Sequence, residues 1–178
     1  MSRRNEVNDF FVAVDTNDDA VIRKLLAKPG FASGKQSSGY SALFFAAMRG
    51  KHKAVEVLLR ANATVDIRDP QGVTPLMMAA TASHADITET LLAHGASVNA
   101  RSQLGMTALM MAAWEGHTNV IQTLLSARAC VFDEDANGMT VLMSTVGAGK
   151  HNRESVIARN TSLILSAALE QVRASIKR

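Results

Sequence analysis

Five histidines, a single cysteine and one glycine-rich segment ending in lysine are the side chains whose types could carry chemistry in this chain. A zinc site needs His and Cys at short, helix-compatible spacings, and His52, His84, His94, His117 and His151 show no H-x-x-x-H or H-E pattern. Cys130 follows a helical segment with no His at positions that would make a triad, so it reads as a small apolar packing residue. Val146-Gly-Ala-Gly149-Lys150 comes near a phosphate-binding loop, but that loop needs G-x-x-x-x-G-K followed by Ser or Thr. Here Ser144 stands at the first glycine position, His151 follows Lys150, and no strand precedes them, which leaves a helix-connecting loop. Neither paired carboxylates nor a nucleophile–base arrangement is present, so the chain is expected to be no enzyme and to need no cofactor, no metal and no small-molecule substrate.

The bulk composition says what must position any site. At 178 residues and 47% hydrophobic the chain can bury one core. Only 4% is aromatic, and nine Met with many Ala supply apolar mass suited to closely packed helices. The net charge of +3 is spread thinly, with local basic character only at Arg3, Arg4, Arg173, Lys177 and Arg178. Nucleic acid would call for a concentrated basic stripe. The polar stretch Met1 to Asp9, followed by the short apolar patch Phe10 to Val14, suits neither a signal-peptide core nor a membrane span. With one cysteine and no possible intrachain disulfide, a soluble cytoplasmic protein is expected, in which the sequons at Asn62 and Asn160 carry no glycan.

The chain repeats itself. Gly39-Tyr-Ser-Ala-Leu, Gly72-Val-Thr-Pro-Leu, Gly105-Met-Thr-Ala-Leu and Gly138-Met-Thr-Val-Leu open successive units 33 residues apart, and Leu25-Leu26, Leu58-Leu59, Leu91-Leu92 and Leu124-Leu125 keep the same step. Ser41, Thr74, Thr107 and Thr140 sit where a hydroxyl caps a helix, Pro75 fits the first helical position, and the glycines permit a tight turn before it. Leu43, Leu76, Leu109 and Leu142 are expected to point into the core. Ala46, Ala79 and Ala112 let neighbouring helices approach closely, and Val55, Leu58, Ile87, Leu91, Val120 and Leu124 recur at helical spacing on a second helix. One such unit cannot bury its apolar face alone, so stacking must make the core.

These motifs resemble the ankyrin-repeat family, whose unit runs G-x-T-P-L-H-x-A-A-x-x-G-H, then a helix ending L-L, then G-A-x-V-N. Gly72 to Ala80, Leu91 to Asn99 and Ala112 to His117 follow that pattern nearly residue for residue. The resemblance implies an all-α solenoid of helix-turn-helix units joined by hairpin-like connections, here a single domain over 1–178 with units at about 6–38, 39–71, 72–104, 105–137 and 138–178. The first unit is degenerate, keeping Val21, Leu25 and Leu26 of its second helix. The last carries an insertion of about ten residues around Lys150 to Arg159, either a loop or an extended final helix.

Two departures follow from the comparison. Phe44, Met77, Met110 and Met143 replace the family's His, so apolar packing must substitute for its hydrogen bonds. The Met stripe Met77, Met78, Met110, Met111 and Met143 is expected in the core. Asn62 and Arg128 replace the glycine that ends the second helix; Asn tolerates a left-handed backbone, whereas Arg128 should be mildly strained or frayed. His84 and His117 keep the Gly-His slot, whose side chain supports the second helix.

The family holds partner proteins on its hairpin tips and on the concave face of the first helices. In this sequence the tips are Tyr40, Arg68, Gln71, Val73, Arg101, Gln103, Leu104, Met106, Asn137 and Met139. The concave-face positions are Met48, Arg49, Thr81, Trp114 and Glu115. Tyr40, Val73, Leu104, Met106, Trp114 and Met139 form an apolar track bordered by Arg68 and Arg101, the composition of an interface anchor, whose plainer explanation is stiffening of neighbouring hairpins. The expected function is a protein-binding module acting as adaptor, inhibitor or structural subunit. An antidote protein that blocks a toxin or enzyme is the alternative, which an acidic concave face would favour.

Overall fold

The computed structural model describes residues 3–26, 41–146 and 154–176, with side chains from Asp9 onward. Gly39, Tyr40 and the segment Gly147 to Lys150 lie outside the described residues. Among the described residues ten helices follow one another: α1 (Arg3–Thr16), α2 (Asp19–Leu26), α3 (Ala42–Met48), α4 (His52–Arg60), α5 (Pro75–Thr81), α6 (Ala85–Ala93), α7 (Ala108–Glu115), α8 (Thr118–Ser126), α9 (Val141–Ser144) and α10 (Glu154–Ile176). The described residues hold no strand, only an isolated antiparallel bridge between Glu134 and Thr140.

The repeating residues explain the helices. Ser41, Thr74, Thr107 and Thr140 each accept a hydrogen bond from the amide three residues on, at 3.1, 3.4, 3.3 and 3.1 Å, which stabilises each first helix by about 1 kcal/mol. Pro75 opens α5, where its missing N–H costs nothing. Left-handed residues recur in phase: Asn17, Gly50, Ser83 and Gly116 turn the chain between the helices of a pair, and Asn62, Gly95 and Arg128 end the second helix. At Arg128 φ is 63°, a conformation that costs a side-chain-bearing residue about 1 kcal/mol or more. Gly50 is needed for a second reason, since a Cβ there would stand 2.6 Å from Cε1 of His84.

The pairs stack into two layers, α1, α3, α5, α7 and α9 in one and α2, α4, α6, α8 and α10 in the other. Leu43, Leu76 and Leu109 are 1% exposed, and the core between the layers is closed by Val55, Leu58, Ile87, Leu91, Val120, Ile121 and Leu124. Each such side chain contributes about 1.5–3 kcal/mol when withdrawn from water. Phe44, Met77 and Met110 are buried at the positions where the family has His. Polar ties between units come instead from His52 Nε2, 3.0 Å from Thr90 Oγ1, and from His117 Nε2, 3.0 Å from the carbonyl of Thr81.

Both ends depart from the expectations above. The first unit has a full helix, α1, whose Phe10, Phe11, Ala13 and Val14 are buried, with Phe11 edge-to-face on Phe45 at 5.7 Å. In α2 it is Ile22 that is buried, and Val21, one residue round the helix, is exposed. In the last unit Leu142 is 38% and Met143 60% exposed, not in the core. Internal units bury these two positions because another unit stacks beyond them; α9 has only four residues and no described first helix follows it.

From Glu154 the insertion region is helical, the start of a 23-residue helix against nine residues in each of α4, α6 and α8. α10 docks on α8 through Ile164 and Asn160, whose Oδ1 accepts from Thr118 Oγ1 at 2.8 Å. Asn160 is 1% exposed, out of reach of any glycan-transferring enzyme in the folded chain.

Candidate functional site

The hairpin tips are built by one device repeated. Asp69 Oδ1 accepts the amides of Gln71 and Val73 at 2.9 and 2.8 Å, and Asp135 Oδ1 accepts those of Asn137 and Met139 at 2.8 and 2.9 Å. Between them, Ser102 Oγ accepts from Met106 N at 3.2 Å. The tips are then laced to each other. Gln103 N donates to the Gln71 carbonyl and Ala136 N to the Leu104 carbonyl, both at 2.9 Å, and Gln103 Nε2 donates to the Pro70 carbonyl at 2.8 Å.

The arginines of this face are engaged within the chain. Arg68 Nη1 donates to the carbonyls of Gly72 and Arg101 at 2.9 and 2.7 Å. Arg101 donates to Asp133 Oδ1 at 3.1 Å and to the Glu134 carbonyl. Arg49 pairs with Asp15 at 3.1 Å and lies 6.0 Å over the Phe45 ring, tying α1 to α3. The Arg49 hydrogen bond, reinforced by its charge and that of Lys51, holds the Asp15 carboxyl below its ordinary value of 3.8, against a partial desolvation that raises it. The three guanidiniums brace neighbouring units instead of standing free around an apolar track. Gln103 is used the same way. Val73 and Met48 are half-buried, Val73 against the core, and Gln71 is exposed beside the lacing it accepts.

What the structure does bring together is a groove of about 380 Å³ between α5, α7 and the tips before α7 and α9. Seven of the expected positions line it: Thr81, Leu104, Met106, Trp114, Glu115, Asn137 and Met139. Met111 and Asp135 line it as well. The positions follow from helix geometry, because residues 111, 114 and 115 share one face of α7 while Met110, one residue round, is fully buried. Leu104 is 65% exposed at the tip, and Trp114 is half-buried instead of standing largely in solvent. Met111, half-buried and packed against the core as the Met pattern suggested, also lines the groove. Its i, i+3 relation to Trp114 was the available sign; Asp135 had none beyond sharing a repeat position with Asp69 and Ser102.

The groove is apolar on its floor, with Glu115 and Asp135 as the only ionisable lining groups among the described residues. Among the described residues no three His, Cys, Asp or Glu side chains come together in a way that could hold a metal ion, and no helix is long and apolar enough to cross a membrane. Cys130 is half-buried, its amide donating to Asn99 Oδ1 at 2.8 Å.

Comparison with known families agrees with the repeat. A family model described as ankyrin repeats, three copies, matches residues 10–102, and one described as a single ankyrin repeat matches residues 104–136. No curated protein matches the chain.

Proposed function

The chain belongs to the ankyrin-repeat family, a family of protein-interaction modules, and from that premise we propose that it is a non-enzymatic binding protein whose partner is held in the groove at Trp114. The observation that carries the reading is the groove itself: Leu104, Met106, Met111, Trp114 and Met139 gather apolar surface at the tips and concave face, where stacking of units does not consume it. Large aromatic and apolar anchors seated in such a depression supply most of the binding free energy at protein interfaces. The role is that of an adaptor, inhibitor or fixed subunit, and the lone cysteine suits a reducing cytoplasm.

Two substitutions test the reading together. Leu104→Ser removes an exposed anchor and should leave folding stability within about 0.5 kcal/mol. Trp114→Ala should remove on the order of 2 kcal/mol or more of binding, while its half-buried ring also costs the fold about 1 kcal/mol. Affinity capture from the native cell with the parent chain and both variants, quantified by mass spectrometry, should show at least one protein retained by the parent and lost from both. If Leu104→Ser captures the same proteins in the same yield, the groove is not the partner site.

A further inference from the structure

The charge of the groove narrows what can occupy it. Its floor is apolar, and among the described residues its two ionisable lining groups are carboxylates, with no Lys or Arg lining it. The hairpin that closes one side, residues 133–135, reads Asp-Glu-Asp. Arg101, the cation engaged there, is spent on Asp133 and on the Glu134 carbonyl. Among the described residues no ion pair engages Glu115, Glu134 or Asp135. Asp135 gives one oxygen to the amides of Asn137 and Met139, which fixes its carboxylate at the edge of the groove without neutralising it. Glu115 sits at the C-terminal end of α7, where the helix dipole adds partial negative charge instead of offsetting it.

An apolar surface rimmed by unpaired carboxylates attracts cations more strongly than an open surface does, because the local dielectric is lower than that of water. It repels phosphates and acidic chains by the same argument. A volume of about 380 Å³ is at the small end of ligand sites and suits one or two large side chains, not a folded surface.

We propose that the groove takes an exposed segment of a partner protein in which one or two large apolar side chains stand beside Lys or Arg, the apolar group entering between Leu104, Met111 and Trp114 and the cation meeting Glu115 and Asp135. The assignment rests on the groove being the partner site and adds the chemistry of the occupant.

The probe is a random peptide library displayed on phage and selected on the full chain. Enriched peptides are then synthesised as found, with their basic residue changed to Glu, and titrated calorimetrically against the parent, Leu104→Ser and Glu115→Lys. The selection should enrich a large apolar residue with Lys or Arg close by. Reversing the peptide charge should weaken binding roughly tenfold in the parent, and Glu115→Lys should weaken the original peptide and recover the reversed one. Binding that is lost with Leu104→Ser but indifferent to both charge changes overturns the basic partner and leaves the groove as the site. Peptides that bind Leu104→Ser as well as the parent, or a selection that enriches nothing, overturn both. Duplex DNA or anionic vesicles that bind the parent and not Leu104→Ser would show that the carboxylates do not select against phosphate, and would also overturn the assignment.

Discussion

Arg68 donates to the backbone carbonyl of Arg101 at 2.7 Å, and Arg101 in turn donates to the carbonyl of Glu134, so residues at one position of successive units form a staircase along the hairpins. Such a chain of contacts exists only when three neighbouring units are stacked, which couples the tips without adding to any one unit's core.

Arg101→Met should therefore destabilise the fold by about 1 kcal/mol, the net worth of a charge-assisted hydrogen bond and an exposed ion pair, because water can replace the guanidinium at both partners. Urea unfolding monitored by circular dichroism checks the magnitude. Unchanged stability would mean the staircase is a consequence of stacking and not a support for it.

The Asp15 pair gives a prediction with a sign. The carboxyl is held below 3.8 in the folded chain, so its contribution is fully present above 3.8 and is lost as the pH falls through the lowered value. Asp15→Asn should melt below the parent at neutral pH, and the gap should close on acidification through that range. A gap that persists unchanged at the acid end would assign the difference to packing at α1 and not to charge.

Leu109 and Leu142 stand at the same repeat position, one 1% and the other 38% exposed. Leu109→Ala should cost roughly 2 to 5 kcal/mol through a core cavity, whereas Leu142→Ala should cost about 0.5 kcal/mol. Equal losses in paired denaturation curves would show that Leu142 is packed in solution.

That pair also marks where sequence reasoning stops. The 33-residue step, the hydroxyl caps and the left-handed positions at Asn62 and Arg128 are local, set by the residue and its immediate neighbours, and they are legible directly. Whether Leu142 or Met143 is covered depends on what stacks beyond the unit, and an identical motif carries no information about that. The helix α1 was hidden for a related reason: Phe10 and Phe11 supply its buried face without any of the repeat's signature residues. At the candidate site, Trp114, Leu104 and Met139 were legible as apolar residues at family contact positions, but of the three only Leu104 is exposed. The engagement of Arg68 and Arg101 was not, because each acts on the backbone of another unit.

The terminal pair should open first in native-state hydrogen exchange. α9 is four residues long, its Leu142 and Met143 lack the cover that Leu109 and Met110 have, and α10 is tied to α8 and its following loop by few polar contacts, chiefly Gln171 Nε2 to the Ala129 carbonyl at 2.7 Å and Thr118 to Asn160. A repeat with one neighbour gains one interface where an internal repeat gains two, so its opening free energy falls below that of the stack. Amides of 142–146 and 160–171 should therefore exchange faster than those of 109–115 and 120–126. The same reasoning makes Met143→Lys nearly neutral in melting temperature and Met110→Lys unfolding, since the first charge stays in water and the second would be buried without a partner. Slower exchange at 142–146 than at 109–115 would mean that the terminal unit is covered in solution, and the exposure of Leu142 and Met143 would then mark an interface.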